Sequence, residues 1–125
     1  MMKRPPISDA EWEVMNALWE ASPRTAAEVA EAVFQRTKWN PKTVRTLLAR
    51  LVKKGAVRYK VEGKRYLYRP TVSHETYIRQ ETQSFVDRVF GGEATPAVVH
   101  FVRTLNLTEQ ELDELRSILG SPEEE

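Results

Sequence analysis

The side chains in this sequence that are best suited to binding chemistry are cations and hydroxyls that recur between residues 42 and 53. The group consists of Lys42, Thr43, Arg45, Thr46, Arg50 and Lys53, and no acidic residue interrupts it. Arginine and lysine bind phosphate oxygens and the acceptor atoms of guanine, and a threonine methyl group packs on that of thymine. A helix that is merely solvated usually mixes both signs of charge. The pattern therefore predicts a surface that binds a polyanion.

A helix over residues 41–54 is predicted to hold these side chains on one face. Asn40 is a good N-cap, and Pro41 falls at the first helical position, where its missing N–H costs nothing. Gly55 is typical of a left-handed C-terminal cap. Apolar residues repeat at helical spacing on the opposite side, as Val44, Leu47, Leu48 and Leu51. One face of the helix is thus predicted to join the core and the other to bind a ligand.

The surrounding sequence predicts the elements that position this helix. Capping boxes at Ser8–Glu11 and Thr25–Glu28 begin two earlier helices. The period then changes to two over residues 57–69, which indicates a hairpin with its turn at Gly63. We therefore expect a mostly α fold of the α+β class, a winged helix-turn-helix. It has three helices and a β-hairpin wing in residues 1–71, and an all-helical dimerisation region follows in residues 72–125.

Two kinds of DNA contact are expected from such a fold. The N-terminal half of a recognition helix faces base edges, so the predicted base contacts are Lys42, Thr43, Arg45 and Thr46. Each of these four residues can equally bind a phosphate. The predicted backbone contacts are Arg24, Trp39, Arg50, Lys53, Lys64 and Arg65. Trp39 has a second interpretation, a hydrophobic staple with Val44, which we favour.

The last third of the chain is predicted to form three amphipathic helices with little mass to cover their apolar faces. They cover residues 73–90, a segment that begins near Pro96, and a segment that follows a third capping box at Thr108. A second copy of the chain is the expected cover, because two-fold dimers are the commonest oligomers. The alternative is that these helices fold back on the winged helix in a monomer. The predicted dimer interface contains Phe85, Val89, Val98, Phe101, Val102, Leu105, Leu112, Leu115, Ile118 and Leu119.

The charge distribution separates the two parts of the chain. Residues 1–70 contain 15 Lys and Arg with 7 Asp and Glu, whereas residues 71–125 contain 4 and 11. Within residues 36–69 there are 12 basic residues and a single acidic one, Glu62. Such asymmetry is typical of a nucleic-acid-binding part joined to a part with another task. The alternative is that the two parts are simply two solvated faces of one body.

Composition also limits the function classes. The chain has no cysteine, which excludes disulfides and thiolate chemistry and is typical of the reducing cytoplasm, where we expect the protein. No apolar run is long enough to span a membrane, and the N-terminus has no signal-peptide pattern. His74 and His100 stand apart without a ligand cluster. We therefore expect no metal, no cofactor, no membrane insertion and no enzymatic activity.

Four stretches of the chain are distinctive in combination and in order. They read ISDAEWEVM at residues 7–15, WNPKTVRTLLARL at 39–51, KKGA at 53–56 and EGKRYLYRP at 62–70. Together they resemble the BlaI/MecI/CopY penicillinase-repressor family of bacterial winged-helix transcriptional regulators. The resemblance implies a homodimeric repressor that binds dyad-symmetric operators, often with TACA/TGTA-type half-sites, and that controls β-lactam resistance or another stress response.

The resemblance also implies how such a repressor is released. Antibiotic-responsive members are inactivated when a membrane-bound sensor metalloprotease triggers cleavage of an Asn-Phe bond in the C-terminal region. The corresponding bond here is His100–Phe101, with histidine in place of asparagine. The alternative, which we favour, is that Phe101 is simply a residue of the dimer core. The copper-responsive branch uses a cysteine-rich motif, which a chain without cysteine lacks.

A second function class is compatible with the same residues. A winged helix can serve as a protein–protein assembly module, with its basic face docked on an acidic partner. Such a module would show little preference for an operator over a random duplex. Comparing the two duplexes therefore separates the assembly module from the repressor.

Overall fold

The computed structural model describes residues 6–120, which form six helices and one two-stranded antiparallel sheet. The elements are α1 (Asp9–Glu20), α2 (Ala26–Thr37), α3 (Pro41–Lys54), β1 (Val57–Glu62), β2 (Arg65–Pro70), α4 (His74–Phe90), α5 (Ala94–Thr104) and α6 (Glu109–Gly120). The predicted fold class, a mostly α winged helix-turn-helix followed by helices, is confirmed. The chain divides into two compact units, Met1–Ile78 and Arg79–Glu125, called below the N-terminal and the C-terminal unit. The proposed domain boundary after residue 71 precedes this division.

The first three helices begin where the sequence predicts them because local caps satisfy their first backbone N–H groups. In α1 the N–H of Glu11 donates to Ser8 Oγ at 3.2 Å, and Ser8 N–H donates back to the Glu11 carboxylate at 2.9 Å. Thr25 and Glu28 form the same capping box at α2. In α3 the N–H of Lys42 donates to the Asn40 side chain at 2.7 Å.

The core of the N-terminal unit is built where three helices meet. The inner face of α3 contributes Val44, Leu47, Leu48 and Leu51, all buried as the helical period predicts. They pack with apolar residues of α1 and α2, among them Val14, Met15, Leu18, Val29 and Val33. Burying the inner face of α3 in this way leaves its outer face exposed.

A buried ion pair joins α1 to the C-terminal end of α3. Glu11 is only 2% exposed, and its carboxylate accepts a hydrogen bond from the Lys54 ammonium group. Lys54 also donates to the carbonyl oxygen of Pro6 at 2.8 Å. Burial raises the pKa of Glu11, but hydrogen bonds from Lys54 and Ser8 and the positive charge of Lys54 outweigh it. The pKa of Glu11 consequently lies below its usual value.

The hairpin pairs β1 with β2 from Val57 opposite Pro70 to Glu62 opposite Arg65. Only Val57 of β1 is buried, whereas the residues after it are exposed. A further backbone pairing lies outside the hairpin: Arg24 N–H donates to Tyr68 O at 3.0 Å, and Tyr68 N–H donates to Arg24 O at 2.8 Å. This bridge attaches β2 to the segment before α2, so the base of the wing is fixed to the helical body.

The C-terminal unit contains most of α4 together with α5 and α6. Thr108 and Glu111 form the predicted capping box before α6. The rings of Phe85 and Phe101 stack with their centroids 5.9 Å apart, and Phe90 packs edge-on to both. Across residues 6–120, no helix is long and apolar enough to cross a lipid bilayer.

Candidate nucleic-acid interface

The outer face of α3 presents all six predicted contact residues of this helix to solvent. They are Lys42, Thr43, Arg45, Thr46, Arg50 and Lys53, and each is exposed. The helix begins with Pro41 and ends at Gly55, which adopts a left-handed conformation with φ of 83°. In the part of the chain that the structure describes, none of the four cations in this set has an acidic partner within ion-pair distance. The surface is therefore available to an external anion.

The threonine at the centre of this face has a restricted hydrogen-bonding role. Thr46 Oγ1 donates to the backbone carbonyl of Lys42 at 3.1 Å, one turn earlier. The hydroxyl proton is thus used inside the helix, and the oxygen lone pairs and the methyl group remain for a ligand. Towards DNA, Thr46 is suited to accepting a hydrogen bond or to packing on a thymine methyl group.

Arg45 lies on the flank of α3 that faces the wing. A groove of about 270 Å³ runs between the two, lined by residues that include Arg45, Ala49, Tyr59 and Tyr68. Burial raises the pKa of Tyr68, the neighbouring Tyr59 and Tyr66 raise it further, and the positive charge of Arg45 opposes them. The structure therefore places Arg45 between the outer face of α3 and the wing, where a DNA strand lying along either one would pass.

The tip of the wing carries the two cations that the sequence predicts there. Gly63 makes the turn with φ of 63°, and Lys64 and Arg65 beside it are exposed. Arg65 lines a second groove, together with Arg45, Tyr66 and other residues. The wing tip and α3 thus bring cations to opposite walls of one concave surface.

Two of the predicted backbone contacts also have structural partners. The Arg24 guanidinium group donates to the carbonyl oxygen of Ala17 at 3.2 Å, and the side chain is half-buried. Trp39 is half-buried against the core cluster that includes Val44, which is the packing expected of the staple. Both side chains thus have partners within the N-terminal unit, and DNA contact by either stays a prediction.

An acidic residue of α2 lies close to the predicted interface. Glu28 completes the capping box of α2, and the hydrogen bond from the N–H of Thr25 is the main cause that lowers its pKa. Slight desolvation opposes this effect, and the positive charges of Arg65 and Arg24 strengthen it. Glu28 therefore carries its negative charge at neutral pH and limits the positive potential at the start of α2.

Sequence reasoning missed three cations on the wing, Arg58, Lys60 and Arg69. Arg58 and Lys60 are exposed, Arg69 is partly exposed, and all three share one face of the hairpin. The alternation of residues 57–69 together with the turn at Gly63 fixes this register, so the signal was present in the sequence.

The residues predicted to form the dimer interface lie largely at the surface of the C-terminal unit. Val89, Val98, Phe101, Val102, Leu105, Ile118 and Leu119 are exposed, and Phe85, Leu112 and Leu115 are half-buried. Within the described part of this unit, residues 79–120, only Val86 and Ala97 are buried. The unit therefore exposes most of its large apolar side chains.

The two histidines are engaged with aromatic rings. His74 stacks on Trp19 with a centroid distance of 4.6 Å, and His100 lies 6.0 Å from Phe90. Residues 6–120 contain no group of three or more His, Cys, Asp or Glu side chains that could hold a metal ion.

Comparison with known proteins identifies relatives along nearly the whole chain. The family model described as penicillinase repressor matches residues 7–121. The penicillinase repressor of Bacillus licheniformis is 38% identical over 119 residues, which is 95% of this chain and 93% of that protein. The methicillin resistance regulatory protein MecI of Staphylococcus aureus (strain N315) is 36% identical over 114 residues, which is 91% of this chain and 93% of that protein.

A solved structure shows a similar backbone in the presence of DNA. It is the monomeric form of Bacillus licheniformis BlaI in complex with the blaP half-operator. The two chains are 42% identical with a TM-score of 0.53, over 62% of this chain and 94% of that one. The family resemblance predicted from the four sequence stretches is thereby confirmed.

Proposed function

The chain belongs to the penicillinase repressor family, and we propose that it is a homodimeric transcriptional repressor that binds a dyad-symmetric DNA operator through α3 and the wing. The observation that carries this proposal is the outer face of α3, defined above, which exposes four cations and two threonines without an acidic partner. By occupying the operator, the protein would block transcription in the cytoplasm. Antibiotic resistance or another stress response is the expected target of regulation.

The residues of the interface divide into two roles under this proposal. Lys42, Thr43, Arg45 and Thr46 occupy the first turns of α3, which enter the major groove and meet base edges. Arg50 and Lys53 on the later turns, with Lys64 and Arg65 at the wing tip, bind phosphates and supply affinity without sequence preference. Arg24, which precedes α2, and Trp39, which precedes α3, contact the sugar-phosphate backbone of the DNA.

The exposed apolar surface of the C-terminal unit supports dimerisation. A unit that buries only two of its described residues gains stability when a second copy covers the rest, because removing apolar surface from water is favourable. Two recognition helices related by a two-fold axis would meet half-sites about 34 Å apart, one helical turn. Each half-site alone provides only part of the contact energy, so the dimer is needed for tight binding.

Release of the repressor follows from weakening this dimer. The His100–Phe101 bond lies inside α5, and Phe101 packs on Phe85 and Phe90. Cleavage there would separate α6 from the rest of the unit and remove part of the dimer surface. A membrane-bound sensor metalloprotease would be the upstream partner of such a step. If Phe101 is only a residue of the dimer core, the bond is not cleaved. The repressor then leaves the operator when the dimer is weakened in another way.

The proposal is tested by the preference of the full chain for one duplex sequence. The probe is the duplex enriched from a random library by the immobilised full chain, compared with a scrambled duplex by fluorescence anisotropy across a salt series. We expect an inverted repeat, bound about a thousandfold more tightly than the scrambled duplex, with affinity that falls steeply as salt rises. Equal weak binding to every duplex would contradict the proposal and favour assembly on an acidic protein partner.

A further inference from the structure

The outer face of the wing, formed by Arg58, Lys60 and Arg69, carries cations to which the proposed interface gives no role. Arg58 on β1 stands directly opposite Arg69 on β2, and Lys60 follows two residues along β1. Because side chains alternate between the two faces of a strand, these three lie on the face opposite to Tyr59 and Tyr68. They therefore point away from the groove between the wing and α3.

This arrangement opposes the stability of the hairpin. Like charges directly opposite each other on neighbouring strands are destabilising, and strands favour β-branched residues over lysine. Across residues 6–120 none of the three cations has an acidic side chain within ion-pair distance. The acidic residue of the strands, Glu62, lies on the same face two residues after Lys60, but its partner on β2 is Arg65 at the tip. An uncompensated pair of arginines is the arrangement expected where an external polyanion supplies the missing charge.

We propose that the outer face of the wing binds the sugar-phosphate backbone of the DNA that flanks the half-site. This inference rests on the proposed function, since it requires α3 to be docked on an operator. The outer face is continuous with Lys64 and Arg65 at the tip, so a strand that meets the tip can continue along β1.

The spacing of the cations suits a phosphodiester backbone. Side chains on one face of a strand repeat about every 6.6 Å, and one DNA strand carries a phosphate about every 3.4 Å along the helix axis. Arg58 and Lys60 can therefore meet alternate phosphates of one strand, and Arg69 lies beside Arg58 on the opposite strand of the hairpin. The contact reads no bases, so it strengthens binding to any flanking sequence.

The test compares the full chain with the variant Arg58→Thr/Lys60→Thr/Arg69→Thr on two duplexes. One duplex ends at the outer edges of the selected inverted repeat, and the other extends beyond each edge by two helical turns, roughly 70 Å. We expect the variant to lose at least about tenfold in affinity on the long duplex and nothing on the trimmed one. The slope of log affinity against log salt should fall by about 0.9 for each lost phosphate contact.

Two further readouts keep the test decisive. The melting temperature of the variant should equal or exceed that of the parent, because threonine suits strands and the opposed arginines are gone. The variant Arg88→Gln/Arg103→Gln/Arg116→Gln removes the same charge from the C-terminal unit and serves as the matched control. It should bind the long duplex like the parent.

Three results would overturn the inference. They are an unchanged affinity of the wing variant for the long duplex, an equal loss on both duplexes, and an equal loss in the control variant. In each case the parent's preference for the selected repeat over a scrambled duplex reports on the proposed function separately. Loss of that preference in the parent would refute the proposed function itself.

Discussion

The two units of this chain differ in how completely each buries its own apolar side chains. Among its described residues, 6–78, the N-terminal unit has a continuous core of fifteen buried apolar residues, from Ile7 to Tyr77. In the described part of the C-terminal unit only Val86 and Ala97 are buried, and α6 has no buried residue. The N-terminal unit buries its apolar side chains within itself and can present a rigid cationic face. The C-terminal unit leaves apolar surface exposed that a partner can cover. Under the proposed function, DNA binding belongs to the well-packed N-terminal unit and dimerisation to the C-terminal unit, which exposes more apolar surface.

The two units should differ most in how much stability is lost when a leucine side chain is truncated. Leu51→Ala removes a fully buried side chain of α3 and should lower the free energy of unfolding of the N-terminal unit by about 2–5 kcal/mol. Leu119→Ala, at a residue that is 74% exposed, should leave that value nearly unchanged. All three tryptophans, Trp12, Trp19 and Trp39, lie in the N-terminal unit, so tryptophan fluorescence in urea measures its unfolding alone. Similar losses in both variants would contradict the division.

The second effect concerns the dimer. Ile118→Asp places a charge on an apolar side chain that is 66% exposed in the single chain, so it should spare the fold and disrupt the interface between copies. We expect the dimer dissociation constant, measured by sedimentation equilibrium, to rise about a hundredfold, or about 2.7 kcal/mol. Phe34→Asp, at an apolar residue of α2 that is 40% exposed, is the matched control and should remain dimeric. A dimeric Ile118→Asp would show that α6 does not form the interface.

The third effect tests the ion pair that fixes α3 within the N-terminal unit. Glu11→Gln should lower the free energy of unfolding at neutral pH by about 1–3 kcal/mol, because the partly exposed Lys54 ammonium group loses its charged hydrogen-bond acceptor. The pKa of Glu11 is lowered on folding from its ordinary value of 4.5. The carboxylate therefore stabilises the folded state fully at pH values above 4.5. This contribution disappears as the pH falls through the lowered pKa.

Urea unfolding at a series of pH values checks this sign. The difference in unfolding free energy between the parent and Glu11→Gln should be largest near neutral pH and shrink below pH 4.5. A difference that stayed constant or grew in acid would contradict the assigned pKa direction.

Smaller changes, in DNA affinity, should distinguish the base contacts of α3 from its phosphate contacts. Lys42→Ala should weaken binding to the selected repeat by about tenfold and change binding to a scrambled duplex much less, because it removes a base contact. Lys53→Ala should weaken binding to both duplexes equally and reduce the salt slope by about 0.9. Anisotropy on the two duplexes measures both variants. Equal losses in Lys42→Ala would reassign Lys42 to the phosphate backbone.

Helix boundaries could be predicted from the sequence because their signals are local. Asn40, Pro41 and Gly55 define α3 without help from the rest of the fold, and the helical period separates its buried from its exposed face. The bridge between Arg24 and Tyr68 could not be predicted, since it joins segments far apart in sequence by backbone groups alone. Such pairings carry no side-chain signature.

In the wing, the alternation of apolar and polar residues does not predict which side chains are buried. Tyr59 and Tyr66 occupy positions that alternate like core residues, yet each is 47% exposed because the hairpin extends beyond the body that covers Val57. The split between base and phosphate contacts likewise depends on where the DNA lies, which neither spacing nor composition determines. The residue types predict a polyanion surface, and the roles within it remain predictions.

In the proposed repressor, the N-terminal unit of each copy binds a half-site and the C-terminal unit pairs two copies. The most direct test is the affinity of the full chain for the selected inverted repeat, compared with the same duplex after one half-site is scrambled. Because the dimer links two DNA-binding units, the full chain should bind the intact repeat at least about a hundredfold more tightly than the duplex with one half-site. The Ile118→Asp variant should lose most of that difference. Equal affinity for the two duplexes would contradict the claim that two paired copies bind the operator.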